Sequence, residues 1–156
     1  PGNAPILYVH GAFGERLAPG DDVDRLFRDG RATVSLGYIG LYEVAAAFFG
    51  GAWEHDPRAK ELTLDVLRSL HAHAAGWTAR LGYRISVYAT PSESLTDRFC
   101  RLDRERFGAV PDITDKDYYT NSFHYDVRKS PTPFEKLDFE AEYARYTSGG
   151  FIHYCE

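Results

Sequence analysis

The residues best suited to chemistry lie in one short stretch, YATPSESL, residues 88–95. It places hydroxyl groups at Thr90, Ser92 and Ser94, a carboxylate at Glu93 and a phenol at Tyr88. A helix that begins here would present free backbone amides and the positive end of its dipole to an anion. The hydroxyl groups would add hydrogen-bond donors for phosphate oxygens. The stretch is therefore a candidate phosphate site with a carboxylate beside it.

The same residues have a purely structural interpretation. Thr90-Pro91-Ser92-Glu93 fits a capping box, in which Thr90 accepts from the amide of residue 93 and Glu93 reaches back to the amide of Thr90. A phosphate would compete for those amides, so both interpretations stay open at this stage. Tyr88 has a similar alternative as a core tyrosine whose hydroxyl is satisfied inside the protein.

A second polar stretch, TDKDYYTNSFHYDV, covers residues 114–127. Tyr118, Tyr119, Asn121 and His124 would line a polar pocket if this stretch is extended. A hydrogen-bonded loop would use the same residue types, so the spacing does not separate these two interpretations.

Several other classes of site are disfavoured. The formal charge of −5 and the pI near 5.7 argue against nucleic acid or an anionic membrane as a partner. Cys100 and Cys155 are too few for a four-cysteine zinc site, and we expect packed, reduced thiols. His71 and His73 lie two apart on a predicted helix and point away from each other, so no metal site is predicted.

The elements that position these residues alternate between strands and helices. Gly and Pro punctuation with apolar periodicity predicts strands over 32–39, 84–89 and 151–156, and helices over 41–49, 57–80, 92–107 and 134–146. The first strand reads as buried on both faces, and the long helix has an apolar stripe at Leu62, Val66, Leu70 and Trp77. Such alternation predicts a parallel or mixed α/β sheet or barrel. Functional groups then gather at the carboxyl ends of the strands, which include Tyr88.

The length of 156 residues fits one domain or less. The chain opens on Pro1 and closes on an alternating apolar run, so we expect an internal segment of a larger protein. No signal peptide or apolar run of transmembrane length is present, and we expect a cytoplasmic location with no membrane partner.

Long runs of this sequence resemble one family, the anaerobic (class III) ribonucleoside-triphosphate reductases. The runs are RATVSLGYIGLYEVAAAFFGG, SVYATPSESLTDRFCRLDRERFG, ITDKDYYTNSFHYDVRKSPTPFEKLDFE and GGFIHYCE. The resemblance implies a partial ten-stranded α/β barrel of the glycyl-radical and ribonucleotide reductase type. Residues 1–156 would be a single segment of that larger catalytic domain.

The resemblance also implies roles for particular residues. The substrate is a ribonucleoside triphosphate, which radical chemistry reduces to a 2′-deoxyribonucleoside triphosphate for DNA synthesis. Tyr88 and Glu93 match catalytic positions. Matches to substrate-binding positions are Thr90, Ser92, Ser94, Tyr119 and Asn121.

Other parts of such an enzyme lie outside this chain by the same resemblance. They are an ATP-binding regulatory domain, a fingertip loop with the thiyl cysteine, a structural zinc site and the radical glycine. The parent enzyme is implied to use formate as reductant and ATP or deoxynucleotide effectors. Its implied partners are a radical-SAM iron–sulfur activating enzyme and a second copy in a homodimer. The segment alone is expected to be inactive.

Two other functions remain possible from the residues. One is a non-catalytic nucleotide- or phosphate-binding α/β module derived from the same barrel. The other is a sugar-phosphate enzyme with Glu93 and His124 as acid and base, which leaves the long family-like runs unexplained.

Overall fold

The computed structural model describes residues 3–12, 14–28, 30–89 and 92–154, without the side chains of Glu93 and Val127. Helices dominate, and two short strands lie between them. In chain order the elements are α1 (Pro5–Tyr8), α2 (Asp24–Arg28), β1 (Val34–Gly37), α3 (Leu41–Phe49), a 3₁₀ turn (Trp53–His55), α4 (Pro57–Leu81), β2 (Ile85–Tyr88), α5 (Glu93–Phe107), a second 3₁₀ turn (Val127–Lys129) and α6 (Pro133–Ala144).

The two strands form a parallel pair. Val34 lies opposite Ile85, and the register continues to Gly37 opposite Tyr88. Parallel neighbours need a long crossover, which α3 and α4 supply here. The predicted arrangement of parallel strands joined by helices is confirmed, as a small sheet in a mixed helix and strand structure.

The chain after α6 continues this sheet on the far side of β2. The Gly149 amide donates to Val87 O at 2.7 Å, and the Ala89 amide donates to Gly150 O at 3.0 Å. Ala89 and Phe151 then form a parallel bridge. Within the described residues, the strand predicted at 151–156 is reduced to this single bridge.

Strand β1 is not buried as predicted. Val34 is 41% exposed, and Ser35 and Gly37 are also exposed. The physical reason is its place at the sheet edge, because β2 is its one strand partner in the described part of the chain. The apolar run of residues 32–39 is therefore left partly open to solvent.

Helix α4 has the predicted ends. The Asp56 side chain accepts from the Arg58 amide at 2.9 Å, and Gly82 ends the helix with a left-handed φ of +72°. Its fully buried face differs from the predicted apolar stripe, whose members are only half-buried. Small side chains let the helix approach β2 and α3 closely, and the buried residues are Ala59, Thr63, Leu67 and Ala74.

The core joins the second polar stretch to the sheet. Phe123 packs in one buried cluster with Leu41, Ala89 and Tyr143. Residues 118–127 do not run extended as expected, because Ser122 takes a left-handed φ of 45°. With a turn at this position, the described part of the stretch pairs through one antiparallel bridge, between Ile39 and Asn121.

Candidate functional site

The carboxyl ends of both strands meet the second polar stretch. Past β1, Ile39 bridges Asn121, and the Gly40 amide donates to Thr120 O at 2.9 Å. Past β2, the Ser92 amide donates to the Asn121 side-chain oxygen Oδ1 at 2.9 Å. Asn121 is therefore the residue that connects the two strand ends, and two of the predicted substrate-binding residues are in direct contact.

Helix α5 begins at this junction. Its first helical residue is Glu93 and its N-cap is Ser92, whose side chain makes no capping hydrogen bond. The predicted capping box needs Thr90 at the N-cap, two residues earlier, so the helix does not begin where that box requires. Thr90 itself and the Glu93 side chain lie outside the described residues. Ser94 is exposed in the first turn.

Tyr88 lies at the last position of β2, next to this junction. Its side chain is 37% exposed, so it is not the enclosed core tyrosine of the structural alternative. Gly150 lies against its ring, since a Cβ added there would be 3.8 Å from Tyr88 Cε2. The phenol therefore stands on an accessible surface at a strand end.

Tyr119 is held by α5 rather than by Asn121 or Ser92. Its hydroxyl donates to Asp103 Oδ2 at 2.8 Å. Burial, together with this hydrogen bond and the Asp103 charge, raises the pKa of Tyr119. The ring lines a cavity of about 380 Å³ between α3 and α5, together with Ile39, Gly40, Glu43 and Phe99. Tyr119 and Asn121 thus bind different partners, although they lie two residues apart.

A buried ion pair anchors the same stretch to α3. Glu43 is 3% exposed, and its Oε1 accepts from the Thr120 amide at 3.0 Å and from the Thr120 hydroxyl at 2.7 Å. Lys116 pairs with the same oxygen and lies 3.6 Å from Asp126. Sequence reasoning did not single out Glu43. The available signal was a lone carboxylate inside the otherwise apolar helix LYEVAAAFF.

A second buried carboxylate gathers two histidines. Glu140, on α6, is fully buried and lies 3.1 Å from His124 Nδ1 and 2.7 Å from His153 Nδ1. It also accepts from the Tyr125 amide at 3.0 Å and from Lys136. Since an ionised carboxylate only accepts, both Nδ1 atoms carry the proton. Sequence reasoning found His124 but missed its partners, and the signal was a carboxylate between Phe139 and Tyr143 on the core side of α6.

Of the two cysteines, the structure describes Cys100. Cys100 is fully buried and its thiol donates to Lys116 O at 3.1 Å, which confirms a packed thiol. Burial raises the pKa of this thiol. Cys155 lies outside the described residues. Within residues that the structure describes, no cluster of three or more His, Cys, Asp or Glu has a geometry suited to a metal ion.

The helices of the described residues were compared with the requirements for spanning a membrane. Of the helices in the described ranges, none combines the length and apolar character needed to span a bilayer.

Comparison with known proteins identifies the family. A family model described as anaerobic ribonucleoside-triphosphate reductase matches residues 1–156. The protein of that name from Escherichia coli (strain K12) is 51% identical over 156 residues, which cover 98% of this chain and 22% of that protein. The Haemophilus influenzae protein of the same name is 47% identical over 154 residues, with the same coverage of each chain.

A relative outside the bacteria matches the same region. The anaerobic ribonucleoside-triphosphate reductase of Enterobacteria phage T4 is 46% identical over 153 residues, or 98% of this chain and 24% of that protein. The chain spans less than a quarter of the length of these relatives. Both the family model and the relatives cover nearly every residue of the chain, including both polar stretches. The chain therefore belongs to the anaerobic ribonucleoside-triphosphate reductase family.

Proposed function

We propose that this chain forms the nucleotide-binding part of an anaerobic reductase that converts ribonucleoside triphosphates to 2′-deoxyribonucleoside triphosphates. The observation that carries the proposal is the contact between Ser92 and Asn121 at the carboxyl ends of β1 and β2. Ligands of α/β sheets bind outside these strand ends. In this chain the strand ends meet the N-terminus of a 15-residue helix, which suits an anionic ligand.

The triphosphate would lie at the start of α5. The amides of Glu93 and Ser94 have no acceptor within the helix, because the helix begins there. The exposed hydroxyl of Ser94 lies in the same turn. Thr90 and Ser92 would add donors from the preceding loop. Asn121 takes up the Ser92 amide, so its contribution is to hold the loop in place.

The ribose would lie between the triphosphate and Tyr88. The phenol is accessible at the end of β2, four residues before the helix N-cap. Glu93, at the first helical position, would supply a carboxylate for proton transfer to or from a ribose hydroxyl. Tyr119 would contribute to substrate binding indirectly, by fixing the segment that contains Asn121 to α5 through Asp103.

The hydrogen-atom transfer itself would need groups outside this chain. In the full-length enzyme a glycyl radical, formed by a radical-SAM iron–sulfur partner, would supply the oxidising equivalent through a thiyl cysteine, with formate as reductant. The structural zinc site and the ATP-binding regulatory domain would also lie in other segments, and the enzyme would work as a homodimer. The residues of this chain would bind the triphosphate, orient the ribose and hold the Glu93 carboxylate beside the ribose.

The fold proposal is that β1 and β2 belong to a ten-stranded α/β barrel. Two features support it. The apolar β1 has an open edge in the described chain, and residues 149–151 continue the parallel order on the other side of β2. An edge of this kind invites pairing with further strands.

The decisive experiment is the substitution Glu93→Gln in the full-length, anaerobically activated protein. Glutamine has almost the same shape but cannot exchange a proton as a carboxylate does. We expect an unchanged melting temperature and a loss of turnover of about 10²-fold or more. The matched control is Glu105→Gln near the other end of α5, where the carboxylate is exposed and pairs with Arg101.

Two outcomes would contradict these assignments. Normal turnover of Glu93→Gln would return Glu93 to a structural role at the helix start. Binding of nucleoside triphosphate by the unsubstituted, activated protein without any reduction would favour a non-catalytic nucleotide-binding module instead.

A further inference from the structure

The contact between Asn121 and Ser92 is supported by a chain of hydrogen bonds that begins on another helix. Glu43, in the first turn of α3, binds Thr120 twice, through the backbone amide at 3.0 Å and through the hydroxyl at 2.7 Å. Thr120 is followed directly by Asn121, whose Oδ1 accepts from the Ser92 amide at 2.9 Å. Three consecutive links therefore run from α3 to the loop that precedes α5.

The backbone around Thr120 and Asn121 is held on a second side. Gly40, at the N-cap of α3, donates its amide to Thr120 O at 2.9 Å, and Ile39 forms the bridge to Asn121. With its main chain held by Ile39 and Gly40, between β1 and α3, the Asn121 side chain has a defined origin from which to reach Ser92. This is the geometry of a supporting residue that orients another group.

The choice of a carboxylate at position 43 is informative. Glu43 is almost fully buried, and burial of a charge is costly unless it is paired and hydrogen-bonded. Lys116 balances the charge and Thr120 supplies two further donors. An apolar side chain would pack into α3 without that desolvation, but it could not accept from Thr120. The carboxylate therefore specifies the position of one loop, beyond what core packing requires.

We propose that Glu43 is a positioning residue of the nucleotide site, which acts through Thr120 and Asn121 on the Ser92 amide. With Ser92 held, the N-cap of α5 keeps one position, and the next amides of the helix face the triphosphate. The role rests on the proposed function of α5 as the triphosphate site. It predicts a specific effect on substrate binding and little effect on the chemical step.

The test compares kinetic constants of the full-length enzyme. Asn121→Leu removes the acceptor for the Ser92 amide, and we expect it to raise KM for the nucleoside triphosphate about tenfold, the equivalent of one hydrogen bond, with kcat unchanged. Thr120→Val removes the hydroxyl bound by Glu43 and should also raise KM. Glu43→Leu removes the acceptor for both Thr120 donors, so a folded Glu43→Leu variant should have a higher KM than Thr120→Val. Glu43→Gln keeps an acceptor for Thr120, so its KM should return to that of the unsubstituted enzyme.

A double-mutant cycle separates positioning from general stability. Because Thr120 acts through Asn121, the variant with both Thr120→Val and Asn121→Leu should have the KM of Asn121→Leu alone. The matched control is Asp126→Asn, which alters the same buried charge group through Lys116 but does not touch Thr120. Its KM should equal that of the unsubstituted enzyme, even if its melting temperature falls.

Hydrogen exchange gives a readout that is independent of turnover. The Ser92 amide should exchange slowly in the unsubstituted protein and faster in Thr120→Val and Asn121→Leu. Independent, multiplying effects of these two substitutions on KM would overturn the proposal, and so would unchanged exchange at Ser92. Failure of the unsubstituted enzyme to reduce any ribonucleoside triphosphate would instead overturn the proposed function, and the exchange measurement would still decide the positioning of Ser92.

Discussion

Nδ1 of His124 and Oε1 of Glu140 lie 3.1 Å apart in the interior, although the two residues belong to different segments. Glu140 joins three parts of the chain, since it also binds His153 after α6 and Lys136 on its own helix. The carboxylate thus holds the second polar stretch and the segment that continues the sheet against α6. Its charge state should therefore matter for the stability of the whole region.

Acid should remove the stabilisation that Glu140 provides. Burial alone would raise its pKa, but the hydrogen bonds from His124, Lys136 and the Tyr125 amide outweigh burial and lower the pKa from 4.5 to about 2. A lowered folded-state pKa means that this stabilisation is complete above pH 4.5 and disappears as the pH falls towards 2. The shift corresponds to about 3 kcal/mol.

The substitution Glu140→Gln tests this expectation. The free energy of unfolding, measured by urea denaturation at pH 7, should fall by about 3 kcal/mol, and its decline between pH 5 and pH 2 should become shallower. Glu142→Gln is the control, because Glu142 is 53% exposed on the same helix and has one distant partner, Lys60 at 3.8 Å. Equal pH profiles for the two variants would contradict a stabilising role for Glu140.

Gly149 should tolerate no side chain. A Cβ at this position would lie 2.6 Å from Ser86 Oγ and 2.9 Å from Val87 O, where the sheet meets the segment after α6. Gly149→Ala should therefore destabilise the protein by about 1–3 kcal/mol, as overpacking does elsewhere. The measurement is the melting temperature.

A second glycine provides the matched control for that substitution. Gly76, inside α4, would place its Cβ in open space, and Gly76→Ala should stabilise the helix by about 0.5–1 kcal/mol. Destabilisation of both variants would show that the close approach at Gly149 is not the cause.

Cys100 should be unreactive in the folded protein. Its thiol is fully buried and donates to Lys116 O, and burial raises its pKa, so little thiolate forms at neutral pH. Iodoacetamide should label Cys100 only after denaturation, as peptide mapping would detect. Cys100→Ala should keep turnover in the full-length enzyme, and a folded variant without turnover would give this residue a role that the structure does not indicate.

Local signals predicted the helices well. Asp56-Pro57 and Gly82 mark the ends of α4, and the run 41–49 is a helix with the predicted bounds. Caps, turn residues and periodicity act through neighbours in the sequence, so they can be read without the fold. The buried face of α4 could not be read in this way, because it depends on what the helix packs against, as where Ala59 lies against α3 and Trp53.

The two buried carboxylates show a second limit. Glu43 gains its partners from residues 73–77 positions away. Glu140 has one local partner, Lys136 on its own helix, but His124 and His153 lie 16 and 13 positions away. A carboxylate in an apolar helix shows only that a partner must exist. Which residue supplies the partner depends on how the helices and loops pack.

The chain contains the pattern Thr-Pro-x-Glu twice, and the two copies behave differently. At Thr132 it forms a capping box, with Glu135 accepting from the Thr132 amide at 2.8 Å. At residues 90–93 the helix begins only at Glu93, and Asn121, 29 positions away, takes the Ser92 amide. The sequence by itself determined that a helix starts near both sites and that hydroxyls and a carboxylate gather there. Only the tertiary structure decided where the helix begins within each pattern and that Asn121 binds the Ser92 amide before α5, because that contact comes from a residue distant in the sequence.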